Sequence, residues 1–215
     1  MTTREQLESE SSFDDAVFEG LELQGFDFSG KDFYRCTFRN VKLQESRWQR
    51  AGLEDCVFED CDLTRMLPAD LRAHGVRFKG CKLMGIEWTK SSLNPQLSFE
   101  DCNLRYSSFL AMSLRATPFV RCKATEANFI DVDLTEADFS ESDLTGSTFQ
   151  GTTLTDADLS TAQGAFIDPA KNRVKDARVA VESAVLLAAF FGMRVNGYYD
   201  PTERRVPGKG GRRTR

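Results

Sequence analysis

The sequence contains little of what catalytic and metal-binding proteins need. Among its 215 residues there is one histidine, and no two cysteines lie two to four positions apart. Structural zinc sites need such closely spaced pairs, and acid–base or nucleophilic catalysis needs partnered groups. A Gly-rich phosphate-binding loop is also missing. We therefore expect no enzyme, no metal site and no cofactor.

Long apolar runs are missing too. The longest, Ala184–Phe191, is far too short to cross a bilayer. The first twelve residues are polar and acidic and lack the apolar stretch of a signal peptide. We expect a cytoplasmic protein without membrane contact, and its six cysteines should then be reduced thiols.

Aromatic residues are strongly biased, with 17 Phe against two Trp and four Tyr. Large apolar residues recur every five positions from Phe13 to Leu159, and one extra residue falls between Asn94 and Ser98. A period of five fits neither an α-helix at 3.6 nor a β-strand at 2. It requires a chain that turns a corner every five residues.

A second period of twenty lies on top of the first. Four pentapeptides would close one square coil, and like residues would then stack on like at the β spacing of roughly 4.8 Å. The four columns are Phe18, Phe38, Phe58, Phe78, Phe99, Phe119, Phe139, Leu159; Leu23, Leu43, Leu63, Leu83, Leu104, Ala124, Leu144; Phe28, Trp48, Pro68, Trp88, Phe109, Phe129, Phe149; and Phe13, Phe33, Leu53, Ala73, Leu93, Leu114, Leu134, Leu154. The pattern predicts an all-β solenoid, a quadrilateral β-helix of about seven coils with a C-terminal α-helix.

Small residues precede the large ones by two positions. All six cysteines occupy this slot: Cys36, Cys56, Cys61, Cys81, Cys102 and Cys122. Because free cysteine behaves as a small buried hydrophobe, the pattern favours thiols that fill the core. Oxidation between thiols on neighbouring coils stays open, since the spacing suits a disulfide.

The segment Thr64–Arg77 departs from the five-residue pattern of apolar residues but does not change the number of residues per coil. Pro68 and Ala73 occupy its two core slots, and the single histidine, His74, lies within it. Because proline cannot donate to a ladder, we expect a local departure from the coil, such as an exposed turn. The extra residue near Asn94 should form a one-residue bulge at a corner.

The C-terminal part differs from the repeats. Val174, Ala177 and Val179 suggest a last strand-like coil, and a helix is predicted over Val181–Met193. This helix is apolar all round, so it needs partners on two sides. A cap on the open end of the solenoid plus a two-fold homodimer satisfies both sides, and an intramolecular cap alone is the alternative. The predicted dimer residues are Val181, Val185, Leu186, Ala188, Phe190, Phe191 and Met193.

Charge is divided unevenly along the chain. Residues 1–165 hold 17 Lys and Arg against 28 Asp and Glu, a net −11, whereas residues 166–215 hold 11 against 5, a net +6. Ten acids and no Lys or Arg lie between Ala124 and Ala170. The predicted partner-binding residues are Glu126, Asp131, Asp133, Glu136, Asp138, Glu141, Asp143, Asp156 and Asp158.

The pairs Glu136 with Asp156 and Asp138 with Asp158 are each twenty residues apart, so they should stack at one corner. Stacked like charges repel, and folding alone does not favour them. Duplex DNA carries one negative charge per roughly 1.7 Å of its axis. An acidic rod of similar charge is able to replace DNA on the basic surface of a DNA-binding protein. If the helix forms a dimer, the acidic coils would adjoin the two-fold axis as one patch. In part, such acidity also comes with A-D-L/F repeats for structural reasons.

The repeats identify the chain as a member of the pentapeptide-repeat proteins from about Phe13 to Leu159. More narrowly it resembles the topoisomerase-protecting branch, that is, albicidin-resistance and microcin-immunity proteins and more distantly Qnr and MfpA. The resemblance is carried by RFKGCKLMGIEW, LSFEDCNLRYSSF, EANFIDVDLTEADFSESDLTGSTF and FIDPAKNRVKDARV. Two features differ: the long loops of Qnr are missing, and the S-x-x-E capping box before the helix is replaced by Ala180 and Ser183.

The resemblance implies a right-handed coil, dimerisation through the C-terminal helix, and DNA-like binding to DNA gyrase or topoisomerase IV that relieves inhibition by an antibiotic or self-made toxin. It would place Glu136, Asp138, Glu141, Asp156 and Asp158 against the basic DNA-binding surface of gyrase. The departing segment would supply specificity. Its candidate specificity residues are Pro68, Asp70, Arg72 and His74.

The expected organisation is a β-helix over residues 1–165, a last coil with its helix over 166–195, and a mobile basic tail over 196–215. For the tail, plain disorder and non-specific contact with nucleic acid are both open. No direct sequence-specific nucleic-acid binding is expected. The alternative function is a scaffold for an unrelated protein partner.

Overall fold

A computed structural model describes residues 3–88, 91 and 94–198. The chain forms a parallel β-solenoid of about eight turns, preceded by helix α1 (Arg4–Ser9) and followed by helix α2 (Val181–Phe190). The strands are β1 Ser12–Asp14, β2 Val17–Glu19, β3 Asp32–Tyr34, β4 Thr37–Arg39, β5 Gly52–Glu54, β6 Val57–Glu59, β7 Arg72–His74, β8 Val76–Lys79, β9 Leu97–Glu100, β10 Ser108–Leu110, β11 Phe119–Val120, β12 Asn128–Ile130, β13 Thr148–Gln150, β14 Asp158–Leu159 and β15 Arg178–Val179.

The solenoid has four sides, which we number in chain order. Side one carries β1, β3, β5 and β7, and side two carries β2, β4, β6, β8, β9 and β11, followed by the pair β14 and β15. Side three, the Leu23 column, is held by single bridges such as Glu22 to Lys42, and side four carries β10, β12 and β13. Each turn therefore lies directly on the next, which confirms the predicted fold class.

The core consists of stacked identical side chains. On side two, consecutive Phe rings from Phe18 to Phe139 lie stacked, with ring centroids between 4.5 and 5.4 Å apart. Rings on the opposite sides two and four meet edge to face, as between Phe119 and Phe129. Both arrangements are favourable for aromatic pairs. The Phe excess in the sequence is therefore a consequence of these columns.

Most described corners depend on one residue in the left-handed backbone region. Twenty described residues other than glycine have φ between 49° and 62°, and each stands two positions after a core residue. The left-handed region costs an L-residue roughly 1–2 kcal/mol. The residue two positions after a core residue therefore turns the chain at a cost in conformational energy. The sequence analysis did not predict this left-handed position.

The six cysteines are free and buried, as predicted. Each thiol donates to the carbonyl of a core residue one coil earlier; the Sγ of Cys81 lies 3.4 Å from the carbonyl oxygen of Phe58. The neighbouring thiol of Cys122 together with burial raises the pKa of Cys102 to about 12. A thiol with a raised pKa stays protonated and unreactive at neutral pH.

The predicted departure at Thr64–Arg77 is wrong. Leu67 bridges to Arg47 and β7 pairs in register with β5, so the coil continues through this segment. Pro68 and Ala73 do occupy the core, as expected. Proline costs this ladder only one hydrogen bond, because the neighbouring N–H of Leu67 still donates to the Ser46 carbonyl at 2.9 Å.

The insertion appears as a change of register. Phe58 pairs with Phe78, twenty residues on, whereas Phe78 pairs with Phe99, twenty-one residues on. This offset confirms one additional residue in that coil. The predicted core residue Leu93 lies outside the described residues.

Both ends of the solenoid carry a helix. At the N-terminal end α1 buries Leu7 completely against the core, and its N-terminus is closed by a capping box of Thr3 and Gln6. The sequence contains this Thr-x-x-Gln signal, but α1 was not predicted. At the other end the predicted last coil is confirmed, since β15 pairs with β14.

Helix α2 is shorter than predicted. It ends at Phe190 because Gly192 has φ 74° and its N–H bonds the Ala189 carbonyl at 2.9 Å, a glycine termination. The expected loss of the N-terminal cap is confirmed, because the side chain of Ala180 makes no capping hydrogen bond. The predicted basic tail lies almost wholly in residues 199–215, outside the described part of the chain.

The side-two stack gives a test of the fold. Phe58→Ala should lower the free energy of unfolding by about 3–5 kcal/mol, because Phe58 is fully buried between two stacked rings. Urea denaturation followed by circular dichroism measures this change. The matched variant Val57→Ala, on the outer surface of the same strand, should change it by less than about 1 kcal/mol. Equal effects would contradict the stacked core.

Candidate functional site

The predicted acidic residues occupy two structurally different positions. Four precede a core residue and lie in the ladder between coils: Asp133, Asp138, Asp143 and Asp158. Five follow a core residue by two positions and form corners: Glu126, Asp131, Glu136, Glu141 and Asp156. The two positions give these carboxylates different relations to folding.

The ladder aspartates serve the fold. In each, a carboxylate oxygen accepts the backbone N–H two residues on; the distance is 2.8 Å from Ser140 to Asp138 and 2.9 Å from Ser160 to Asp158. The hydroxyl and backbone N–H of Ser160, together with Arg178, lower the pKa of Asp158. The acidity of these four residues is therefore explained by the repeat, because each aspartate accepts a backbone hydrogen bond of its own turn.

The corner acids do not serve the fold in this way. Glu136 and Glu141 have φ of 62° and 58°, in a region that glycine adopts most readily. Both side chains are exposed, and their carboxylates accept no hydrogen bond from a described backbone N–H. Folding therefore gives no reason for a long acidic side chain at these corners.

Both predicted pairs stack, but they do not share one corner: Asp138 and Asp158 lie on the ladder of side two, and Glu136 and Asp156 lie at the corner before it. Asp138 and Asp158 form a direct parallel bridge. Glu136 and Asp156 occupy equivalent corners one coil apart, and the Glu136 N–H donates to the Thr155 carbonyl at 2.9 Å. Neighbouring strands lie about 4.8 Å apart, so these carboxylates repel one another at short range.

Basic residues from neighbouring coils compensate part of this charge. Arg115 lies 3.4 Å from Asp133 and 3.7 Å from Glu136, and Arg178 lies 2.9 Å from Asp158. Arg105 lies 3.6 Å from Glu126. These pairs are exposed, so each contributes little to stability but cancels charge locally. The prediction of a uniformly acidic rod is therefore wrong for these acids.

Five predicted acids form no ion pair with a described residue: Asp131, Asp138, Glu141, Asp143 and Asp156. All but Asp131 lie on or beside side two. Asp156 lies at the corner before side two, and Asp138 lies on the ladder of side two. Glu141 lies at the corner after side two, and Asp143 lies on the ladder of side three. We call these four residues the acidic patch, and it spans two coils.

The N-terminal coils are built differently. On their outer surfaces acids and bases alternate from coil to coil, as in the column Glu19, Arg39, Glu59 and Lys79. The Nε of Arg39 lies 2.9 Å from a carboxylate oxygen of Glu59. Alternation removes the repulsion that stacking imposes on like charges. Acids without a described ion-pair partner also stand at N-terminal corners such as Asp55 and Asp60. What is local to the acidic coils is the lack of Lys and Arg between Lys123 and Lys171, which the repeat itself does not require.

The last coil corrects one expectation about this charge. Lys171, Arg173, Lys175 and Arg178 are exposed on it, and it lies between the acidic coils and α2. Asp168, the tenth acid of the acidic segment, is buried in the same coil and accepts the Ala170 N–H. A dimer through α2 would therefore have a basic centre, and its acidic coils would not join into one continuous patch.

The residues predicted for specificity and for dimerisation lie apart from the acidic patch. Pro68 is buried on side four, Asp70 is a corner, and Arg72 and His74 are exposed at the two ends of β7 on side one. Among the dimer candidates, Val185 and Ala188 are half-buried and the others are exposed: Val181, Leu186, Phe190, Phe191 and Met193. The only buried residue of α2 is Ser183.

Within residues 3–88, 91 and 94–198, no cluster of His, Cys, Asp and Glu side chains has the arrangement that holds a metal ion. Within the same residues, no helix is both long enough and apolar enough to span a membrane.

Comparison with known families identifies the repeat. A pentapeptide-repeat region matches residues 31–109 and 51–129, and an eight-copy pentapeptide-repeat array matches residues 11–47 and 125–160. Together these matches cover the whole solenoid from β1 to β14. The chain belongs to the pentapeptide-repeat family. No curated protein matches its sequence.

Solved structures agree with this fold. A trypsin-treated variant of QnrB1, a plasmid-mediated fluoroquinolone resistance protein, is 17% identical with a TM-score of 0.64, and the match covers 86% of this chain and 99% of that one. A second QnrB1 variant is 20% identical with a TM-score of 0.50, covering 86% and 100%. HetL of the cyanobacterium Nostoc sp. is 18% identical with a TM-score of 0.48, covering 78% and 86%. At identities of 20% or less, this similarity shows a shared fold and nothing more.

The two kinds of acid predict opposite mutational effects. Glu141→Gly should raise the free energy of unfolding by about 0.5–1 kcal/mol, because it relieves a left-handed corner. Asp143→Ala should lower it by about 1 kcal/mol, because the Thr145 N–H loses its acceptor at 3.0 Å. Urea denaturation of both variants measures this pair. Destabilisation by Glu141→Gly would show that the corner acid serves the fold after all.

Proposed function

We propose that this protein binds a type II topoisomerase, DNA gyrase first and topoisomerase IV second, and protects it from a poisoning antibiotic or self-made toxin. The acidic patch would take the place of DNA phosphates on the basic surface of the enzyme. The observation that carries the proposal is the acidic patch, and within it the corner acids Glu141 and Asp156, which form no ion pair with a described residue and which folding does not require. The likeness in fold to a fluoroquinolone resistance protein also supports it.

In this proposal the protein acts by binding, without chemistry of its own. Glu141 and Asp156 stand at the two edges of side two, and Asp138 lies on the ladder between them. A basic groove that accepts this side would pair with carboxylates at three positions across the rod. Such contacts increase the rate and the specificity of association, and they weaken with salt.

We further propose that two copies associate through α2. Phe190 at the end of α2, and Phe191 and Met193 just after it, are more than half exposed, and Val179 in the core slot of the last coil is 43% exposed. A monomer with so much apolar surface at one end has an incomplete cap, and a second copy of the same end is self-complementary. The basic last coil would then lie beside the two-fold axis, between two acidic patches.

The second candidate function is a scaffold for an unrelated protein partner. The neutralisation of Asp133, Glu136 and Asp158 by arginines favours it, because a DNA mimic gains from leaving carboxylates unpaired. The gyrase assay below distinguishes the two candidates.

The gyrase proposal predicts a charge-dependent protection. Restoring gyrase supercoiling in the presence of an albicidin-like poison should need at least about tenfold more of the double variant Glu141→Lys with Asp156→Lys than of the unchanged protein. The reason is that each reversed contact is worth about 1 kcal/mol or more. Corners already accept long basic side chains at Arg35 and Arg121, so the fold should persist.

The matched control is Asp55→Lys with Asp60→Lys. These are corners of an N-terminal coil, they form no ion pair with a described residue, and the substitution changes the net charge equally. The control should protect like the unchanged protein. Full protection by the Glu141 and Asp156 variant would contradict the DNA-mimic mechanism, and no protection by any form would favour the scaffold.

The dimer proposal predicts that Phe190→Asp yields a monomer. Light scattering after size exclusion should give twice the chain mass for the unchanged protein and the single chain mass for the variant, because a charge would be buried at the interface. The control Leu110→Asp substitutes another exposed apolar residue, on side four and remote from α2. A single chain mass for the unchanged protein at all concentrations would contradict the dimer.

A further inference from the structure

Gly52 is unusual for its position in the ladder. It precedes the core residue Leu53 inside β5, and its φ is not positive, so the backbone does not demand glycine there. Glycine weakens a strand and often marks a place where another group approaches closely. Here a Cβ would stand 2.3 Å from a carboxylate oxygen of Asp32 and 3.2 Å from Arg72.

The absence of that Cβ lets an ion pair close over Gly52. The Nη2 of Arg72 lies 2.8 Å from the Oδ1 of Asp32, although the two residues are two coils apart. The pair therefore bridges three coils of side one across Gly52, the first residue of β5. A larger residue at position 52 would push these side chains outward.

Beside this bridge runs a trough with a volume of about 260 Å³. One wall is the Asp32–Arg72 bridge, and the other is the row Tyr34, Glu54 and His74, which follows the core residues of three successive coils. We call it the side-one trough. All three residues of the row are exposed. The small core residue Ala73 lies under its far end.

The charges of the side-one trough leave one carboxylate free. Arg72 is held by Asp32, whereas Glu54 forms no ion pair with a described residue. Glu54 stands one coil from Tyr34 on one side and one coil from His74 on the other. A group at the level of Glu54 would thus lie one coil, about 4.8 Å of backbone spacing, from the ring-bearing residue on each side.

We propose that the side-one trough binds an arginine side chain of a protein partner. A guanidinium at this place would pair with the Glu54 carboxylate and lie over the face of Tyr34, within the roughly 6 Å of a cation–π contact. Its flat shape fits between two ring-bearing residues better than an ammonium does. A volume of about 260 Å³ is below that of most small-molecule pockets and suits one large side chain.

This inference does not depend on the gyrase proposal. The trough lies on side one of the N-terminal coils, and the acidic patch lies on and beside side two near the other end. It also gives a role to His74 and Arg72, which the acidic patch leaves unused. A partner that contacts both sites would have to follow the rod over several coils.

The test is a titration of the full-length ¹⁵N-labelled protein with N-acetyl-arginine amide, followed by amide chemical shifts. The signals of Tyr34, Gly52, Glu54 and His74 should move saturably. The neutral isostere N-acetyl-citrulline amide should bind roughly two- to fivefold more weakly, which is the range for loss of an exposed ion pair.

Two variants locate the contact. Glu54→Gln and Tyr34→Leu should each weaken arginine binding by roughly two- to fivefold, through loss of the ion pair and of the ring face. Glu19→Gln, an exposed acid on side two without a described ion-pair partner, should leave it unchanged. Equal binding of citrulline, or unchanged binding by Glu54→Gln, would overturn the proposal, and so would shifts confined to other residues.

Discussion

The structure depends on one constraint, the parallel hydrogen-bonded ladder between residues twenty positions apart. It forces each side chain to lie on its counterpart in the next coil, so that Phe58 lies between Phe38 and Phe78. The ladder persists only if the chain turns every five residues. Left-handed corners such as Glu141 and Gly146 provide that turn. Core columns, buried thiols and stacked charges all follow from it.

The same constraint places function on the surface. A coil of four short strands is filled by its own side chains, and outward residues form straight columns on four sides. A column with alternating signs stabilises itself, as Arg39 and Glu59 do, whereas a column with one sign repels itself. Ladder aspartates such as Asp143 are explained by their hydrogen bonds to the backbone. Unpaired corner acids such as Asp156 have no such explanation, and they are the more informative residues for function.

The solenoid was predictable from the sequence because the five-residue pattern of apolar residues is short and is repeated many times. It was wrong about Thr64–Arg77, because the lost donor at Pro68 suggested a broken ladder, whereas the bonds on either side hold the coil in register. It overlooked α1, whose capping box at Thr3 is a short signal beside a long repeat. The length of α2 was overestimated because apolar periodicity continues past the stop at Gly192.

What the sequence by itself determined is the coil, its four columns, the burial of six thiols and the position of the acidic segment, since a strict period fixes which residues share a side. Only the tertiary structure decided which of those acids stay unpaired, because Arg115 and Arg178 approach them from other coils. It also decided that Asp32 and Arg72 meet across Gly52, a contact over forty residues. Such contacts depend on the conformations of long side chains, which the period does not specify.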